Sequence, residues 1–344
     1  MCKTFKSKVG DHNGHNKGMW EVLSVTFPFF ALVLAGYVAT VRRMLPIEAI
    51  PGLNTFVLYF ALPCMLFRFG ASTPIDKLLD APLFFTYLGC ALLVVGFSMA
   101  VSLNRRIRWN DSAFGTLVAA FPNTGFMGVP LLVALLGSAA AGPAIVTIVV
   151  DLVVTSSLCI ALSRLDAADT HGAGVAARNA LKGVLLNPMP WAIVAGALTS
   201  GLQLNWPEPA VKTLGLLADA ASPAALFTLG TVLARSTLRF RAALEADPHH
   251  RSAPWADHGK MVVIKLLLHP FLLLLVGSAV IAQGWGLDPF ALHVAVLVAA
   301  LPSASNVVML AERFSADSGR IARIVLETTA LSFITFSAAV AWLK

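Results

Sequence analysis

Ten runs of about 20 apolar residues punctuate these 344 residues, and few folds can accommodate them. They cover roughly 21–41, 50–70, 81–103, 112–136, 142–164, 186–204, 210–234, 261–282, 289–311 and 321–343. Inside a bilayer no water meets the backbone, so each run must satisfy its own N–H and C=O groups. Only helices and closed barrels do that, and runs this long and continuous are helical. Composition agrees: 57% of residues are hydrophobic and 12% charged, with a mean hydropathy of +0.77, where a soluble domain carries about a quarter charged residues. The expected fold is an all-α polytopic membrane protein with ten transmembrane helices.

The net charge of +7 reflects which loops hold the cations and is no sign of nucleic acid as a partner. The odd-numbered loops carry Arg42, Arg43, Arg105, Arg106, Arg108, Arg164, Arg178, Lys182, Arg235, Arg239, Arg241, Arg251, Lys260, Arg313, Arg320 and Arg323, whereas the even-numbered ones carry Lys77 and Lys212. The positive-inside rule makes the odd loops cytoplasmic and puts both termini outside. Residues 1–18 disagree, because Lys3, Lys6, Lys8 and Lys17 favour the cytoplasm. This polar tail lacks an apolar core and is no signal peptide. It reads as lying upstream of a true start at Met19, the alternative being a genuine disordered tail. Cys64, Cys90 and Cys159 lie within apolar runs and Cys2 in the tail. They form no Cys-x-x-Cys, so buried thiols rather than a disulfide framework are expected.

The two halves echo one another. Phe27-Pro28 and Ala35-Gly36 recur as Asn187-Pro188 and Ala195-Gly196. Pro63 with Met65-Leu66-Phe67 recurs as Pro223 with Ala225-Leu226-Phe227, and Asp151 in the fifth span answers Glu327 in the tenth. The halves divide as 19–165 and 186–344 around a short linker, 166–185. Five spans per half is an odd number, so the second half inserts upside down. An inverted repeat places its substrate site near the midplane, where the repeats meet.

The fourth span of each half is interrupted. One reads Phe121-Pro122-Asn123-Thr124-Gly125-Phe126-Met127-Gly128-Val129-Pro130, the other Leu301-Pro302-Ser303-Ala304-Ser305-Asn306. Pro122 and Pro302 each lack a backbone donor and clash with the preceding turn, so each span splits into two half-helices. The first N–H groups of each new half have no intrahelical partner and carry the positive end of the helix dipole. Such an end receives an anion without lysine or arginine. Asn123, Thr124, Ser303, Ser305 and Asn306 add side-chain donors and acceptors, and Gly125 permits close approach. The plainer alternative is a pair of ordinary proline kinks, which would not require this concentration of small polar residues.

Asp151, Asp219, Lys265, His269 and Glu327 sit within spans, where ionisable groups usually face a cavity or a partner. A carboxylate withdrawn from water can take up and release a proton during a cycle, which makes Asp151 and Glu327 the first coupling candidates. Structural ion pairing is the rival reading for the acids. Snorkelling to the interface is the rival for Lys265 and the expectation for Arg68. His269 precedes Pro270 and reads as a core histidine or, less simply, a proton relay. Asn54 suits either a bond across helices or a ligand. His12, His15, His249 and His250 lack a ligand pattern, so neither metal nor cofactor is implied. Phosphate-cradling and hydrolase motifs are missing from the sequence. An intramembrane serine hydrolase would need Ser98 and His269 in hydrogen-bond reach beside an oxyanion site that no motif supplies.

The interrupted fourth span resembles the first crossover of the auxin efflux carrier family. So do Leu53-Asn54-Thr55-Phe56-Val57-Leu58-Tyr59-Phe60-Ala61-Leu62-Pro63 and Leu301-Pro302-Ser303-Ala304-Ser305-Asn306 with Ala311-Glu312-Arg313-Phe314, and the likeness runs from about Met19 to the end. It implies ten helices in an inverted five-plus-five repeat and elevator-like alternating access. Asn123 and Asn306 would flank a small organic anion. The anion is auxin in plant members and a dicarboxylate such as malonate or malate in bacterial ones. The short linker and Ala- and Arg-rich chain suit a bacterial inner-membrane member, and the family implies pairing into homodimers. The expected function is proton-coupled secondary transport of a dicarboxylate. Sodium-coupled symport and auxin-like monocarboxylate export are the alternatives.

Overall fold

A computed structural model describes residues 12–103, 107–164, 178, 185–246 and 255–343. The expectations on Cys2, Lys3, Lys6, Lys8, Arg105, Arg106, Lys182, His249, His250 and Arg251, and on most of the 166–185 linker, lie outside these residues. The described chain is helical. Its elements are α1 (His12–Val41), α2 (Ile47–Ser72), α3 (Ala81–Ser102), α4 (Trp109–Ala120), α5 (Thr124–Leu136) and α6 (Ser138–Ser163), then α7 (Pro188–Gly201), α8 (Glu208–Ala246), α9 (His258–Ala282), α10 (Pro289–Ala299), α11 (Asn306–Arg313) and α12 (Ser318–Leu343).

Seven of these are long and apolar enough to cross a membrane: Ser24–Val41 within α1, then α2, α3, α6, Glu208–Arg239 within α8, α9 and α12. The other three expected spans are the exceptional ones. The fourth is split into α4 and α5, the ninth into α10 and α11, and the sixth is the 14-residue α7.

Local chemistry sets several helix starts. Asp80, Asn187 and Asp288 each accept a bond from a backbone N–H one or two residues inside α3, α7 and α10. Proline follows in the first turn of each, where its missing N–H costs nothing. Proline deeper in a helix leaves a different mark. At Pro63, Pro130 and Pro270 the preceding residue donates five residues back, Leu62 to Val57, Val129 to Thr124 and His269 to Ile264. The widened π turn absorbs the missing donor without breaking the helix.

Two close helix pairs form a frame. A Cβ added at Gly36 of α1 would lie 2.0 Å from the Phe227 carbonyl oxygen of α8, and one at Gly230 of α8 would lie 1.9 Å from that of Val33. Likewise a Cβ at Gly196 of α7 would lie 2.6 Å from the Phe67 oxygen of α2, and one at Gly70 of α2 would lie 3.2 Å from that of Ile193. Lipid tails compete with apolar side chains, so membrane helices gain most where small residues let backbones meet. The contacts are reciprocal: residues 33, 36, 67 and 70 each stand 160 positions before 193, 196, 227 and 230. The half-helices α4 and α10 lie deep inside, with Asp111 through Ala120 and Leu292, Val294 through Ala299 all buried. Helices buried on every side can afford to be apolar all round, and these hold the two breaks at the centre of the protein.

Candidate functional site

The two breaks meet. Asn123 N–H donates to the Pro302 carbonyl (2.8 Å) and Ala304 N–H to that of Phe121 (3.0 Å), which pairs Pro122 with Ser303 in a one-residue antiparallel bridge. Extended backbone deep in an apolar protein must find partners, and each break supplies them to the other.

Side chains repair the carbonyl ends. In an uninterrupted helix Val118 C=O would receive the N–H of residue 122, which is proline. The Ser303 hydroxyl donates there instead, at 2.7 Å. Ser303 N–H has left the helical path and donates to Thr328 Oγ1 of α12 (3.2 Å). The Ala299 carbonyl at the end of α10 receives Lys265 Nζ from α9 (2.6 Å). Lys265 is wholly buried, so snorkelling is corrected: its terminal nitrogen caps a half-helix inside the protein. The hydroxyl of Ser303, expected to face a ligand, is committed to the backbone.

The amide ends are different. The starts of α5 and α11 border one cleft, with a cavity volume of about 30 Å³. Asn123, Thr124, Gly125, Asn306 and Asp151 line it on the polar side, and Phe121, Phe126, Ile148, Leu152 and Met189 are among its apolar walls. Asn123 is 1% exposed, yet neither of its amide atoms has a hydrogen-bond partner, and Thr124 Oγ1 and Asn306 Oδ1 also lack one. Buried polar groups are nearly always paired, so unpaired ones concentrated around one cleft mark it as built for something other than folding. Ser305 is buried in the turn that opens α11.

Asp151 enters from α6, within the π turn Val150–Thr155. Tyr87 donates its hydroxyl to Oδ2 at 2.9 Å and Thr155 donates to Oδ1 at 3.4 Å. The His269 ring lies 6.0 Å from that of Tyr87. Behind the cleft, therefore, an acid, a phenol and an imidazole form one buried group.

Three expected residues lie elsewhere. Asp219 has a 69% exposed side chain and pairs with Arg68 at 2.6 Å. Asp219 thus makes an ion pair, the rival reading for this acid, and the Arg68 side chain is 42% exposed near the end of its span. Glu327 does not mirror Asp151 at the cleft. It contacts His258 Nε2 at 3.0 Å and lines a second cavity with Ser236 and Thr237. Asn54 reaches Met309 Sδ of α11 at 3.7 Å, a contact across helices rather than with the cleft. Ser98 Oγ and both ring nitrogens of His269 are unpaired, so this serine and histidine do not form a nucleophile–base couple.

Sequence reading missed Tyr87, Thr328 and His258. Tyr87 is one of three tyrosines and sits in mid-span, a signal that could have been weighed. Nothing marked Thr328 among many intramembrane threonines.

The sequence pattern of the membrane transport protein family matches residues 22–170 and 175–340. The chain belongs to that family. This is the auxin efflux carrier group whose crossover motif the sequence resembles, a family of membrane transport proteins. Among family members, a Rhizobium meliloti (strain 1021) protein named "Putative malonate transporter" is 30% identical over 320 residues, 92% of this chain and 94% of the relative. The "Uncharacterized transporter YfdV" of Escherichia coli (strain K12) is 25% identical over 312 residues, 89% and 92% of the two chains. An "Uncharacterized transporter" of Methanothermobacter thermautotrophicus is 26% identical over 318 residues, 91% and 94%.

The repair of the first break is directly testable. Ser303→Ala should cost about 1–3 kcal/mol, because the buried Val118 carbonyl loses its donor. A lower unfolding temperature in detergent is expected, and an unchanged one would show that Val118 has another partner.

Proposed function

We propose that this chain is a secondary active transporter of a small organic anion, a dicarboxylate such as malonate or malate, coupled to protons. The observation that carries this reading is the single cleft bordered by two helix starts, with Asn123 and Asn306 unpaired beside them. Helix N-termini attract anions, and amide donors fix a carboxylate's orientation. The relative named for malonate supports a short dicarboxylate. Asp151 on the wall of the same cleft supports proton coupling, since an ionised carboxylate there would repel an incoming anion and a protonated one would not.

The proposed architecture is ten helices in an inverted five-plus-five repeat. The reciprocal contacts of α1 with α8 and α2 with α7 support it, and so does the pairing of two broken helices. In the proposed elevator cycle these four helices are the fixed frame. The broken helices, with α3, α6, α9 and α12, carry the substrate past it. Residence in a bacterial inner membrane with both termini outside, and pairing into homodimers, belong to the same proposal.

Sodium coupling is the second reading, favoured by three unpaired oxygens at one place: Asn123 Oδ1, Thr124 Oγ1 and Asn306 Oδ1. Unwound backbone and such oxygens hold sodium in other broken-helix transporters. Uptake of labelled malonate, malate, succinate and indole-3-acetate into liposomes, with proton and sodium gradients imposed separately, tests both. Accumulation driven by a proton gradient alone is expected. Accumulation that requires sodium would replace the first reading with the second, and no uptake of any anion by folded protein would sink both. Asp151→Asn should abolish the pH dependence of uptake while anion exchange persists; an unaltered pH profile would assign Asp151 a structural role.

A further inference from the structure

The charges around the cleft constrain which ionic form of the substrate it accepts. The carbonyl ends of the first half-helices are spent: Val118 O on Ser303, Phe121 O on Ala304 N–H and Ala299 O on Lys265. The amide ends at α5 and α11 are not spent on side chains, and each is equivalent to roughly half a positive charge. Among the described residues, no Lys, Arg or His lines the cleft. Asp151 has both carboxylate oxygens engaged by Tyr87 and Thr155. Lys265 stands outside the cleft lining, with its Nζ held by the Ala299 carbonyl. What remains for the substrate is about one positive charge, presented by two backbone ends.

We infer that the cleft takes a singly charged carboxylate: the half-protonated form of a dicarboxylate, or a monocarboxylate of similar size, rather than a dianion. This rests on the organic-anion reading above and narrows it. One carboxylate meets the helix starts with Asn123 and Asn306. The rest of the molecule lies against Phe121, Phe126, Ile148, Leu152 and Met189, where a second full charge would lose its hydration with no cation in exchange.

The test compares malonate with its monomethyl ester, which keeps one ionised carboxylate at every pH where malonate changes from singly to doubly charged. The full chain in liposomes would be assayed for uptake of labelled malonate, with each unlabelled compound as competitor, from well below to well above malonate's second ionisation. The quantity to follow is the ratio of their apparent affinities, because titration of the protein alters both alike. At low pH the two are expected to compete within a few-fold of each other. Above the second ionisation, malonate should lose about tenfold against the ester per pH unit, as its singly charged fraction falls. A ratio that stays constant, or that moves toward malonate as pH rises, overturns the inference and leaves the organic-anion reading standing. Failure of labelled malonate to enter, together with failure of labelled ester to enter, at every pH removes that reading and this inference with it.

Discussion

Gly230→Ala is expected to prevent α1 and α8 from closing on one another, with a loss of stability at or above about 3 kcal/mol, the upper end of what overpacking usually costs. A new Cβ would lie 1.9 Å from the Val33 carbonyl oxygen and 2.7 Å from the Tyr37 nitrogen. Both are backbone atoms, so no rotamer change relieves the clash and a whole helix must move. The reciprocal contacts fix an order of severity. Gly36→Ala, at 2.0 Å from the Phe227 oxygen, should be about as harmful. Gly196→Ala at 2.6 Å should be milder, and Gly70→Ala at 3.2 Å milder still. Gly52→Ala is the control, since nothing stands within 4 Å of its Cβ position. Unfolding temperature and monodisperse yield in detergent give the readout. Wild-type stability in Gly230→Ala would mean that α1 and α8 do not pack through these glycines. It would also remove the main support for a fixed four-helix frame.

Sequence made the breaks legible because proline within an apolar run has an unavoidable consequence: a lost donor and a displaced turn. It also made the glycine frame partly legible, since Ala35-Gly36 and Ala195-Gly196 are recognisable as repeats without knowing that Gly36 meets α8 and Gly196 meets α2. What it could not reveal is rotation about a helix axis. Asp151, Asp219 and Glu327 look alike as acids in apolar runs, yet one faces the cleft, one pairs with Arg68 at an exposed edge, and one contacts His258. Lys265 lies near enough to a span end to snorkel, and only the position of α10 shows that an orphaned carbonyl awaits it. Tyr87 and Thr328 owe their importance to atoms more than 20 positions away in sequence, Asp151 and Ser303. Periodicity reports which residues are apolar, whereas these roles depend on which helix lies opposite.

Asn123→Ala is expected to weaken anion binding about tenfold or more while leaving the fold at least as stable as before. The first half follows from the loss of a hydrogen bond to a charged group, which is worth roughly 1.5–3 kcal/mol. The second half follows from what Asn123 does in its absence. Its side chain is 1% exposed and bonds to nothing through either amide atom, so truncation removes two buried unpaired groups at the expense of a small cavity. A residue kept for structure shows the opposite pattern: Ala in its place lowers the unfolding temperature and affects binding only through misfolding. Asn123→Asp sharpens the contrast, since it preserves volume while placing negative charge where a carboxylate should sit. It should reject the anion more strongly than the alanine variant does. Asn306→Ala should behave like Asn123→Ala, with a smaller gain in stability because only its Oδ1 is buried without a partner. Binding measured by tryptophan fluorescence or calorimetry, alongside unfolding temperature without ligand, separates the two axes. Unchanged affinity in both alanine variants would move the substrate away from the paired breaks. A fall in stability with no change in affinity would reassign Asn123 to the scaffold. Weaker binding in a protein that melts no earlier than the wild type is the outcome that a pair of unspent helix starts and an unpaired asparagine lead one to expect.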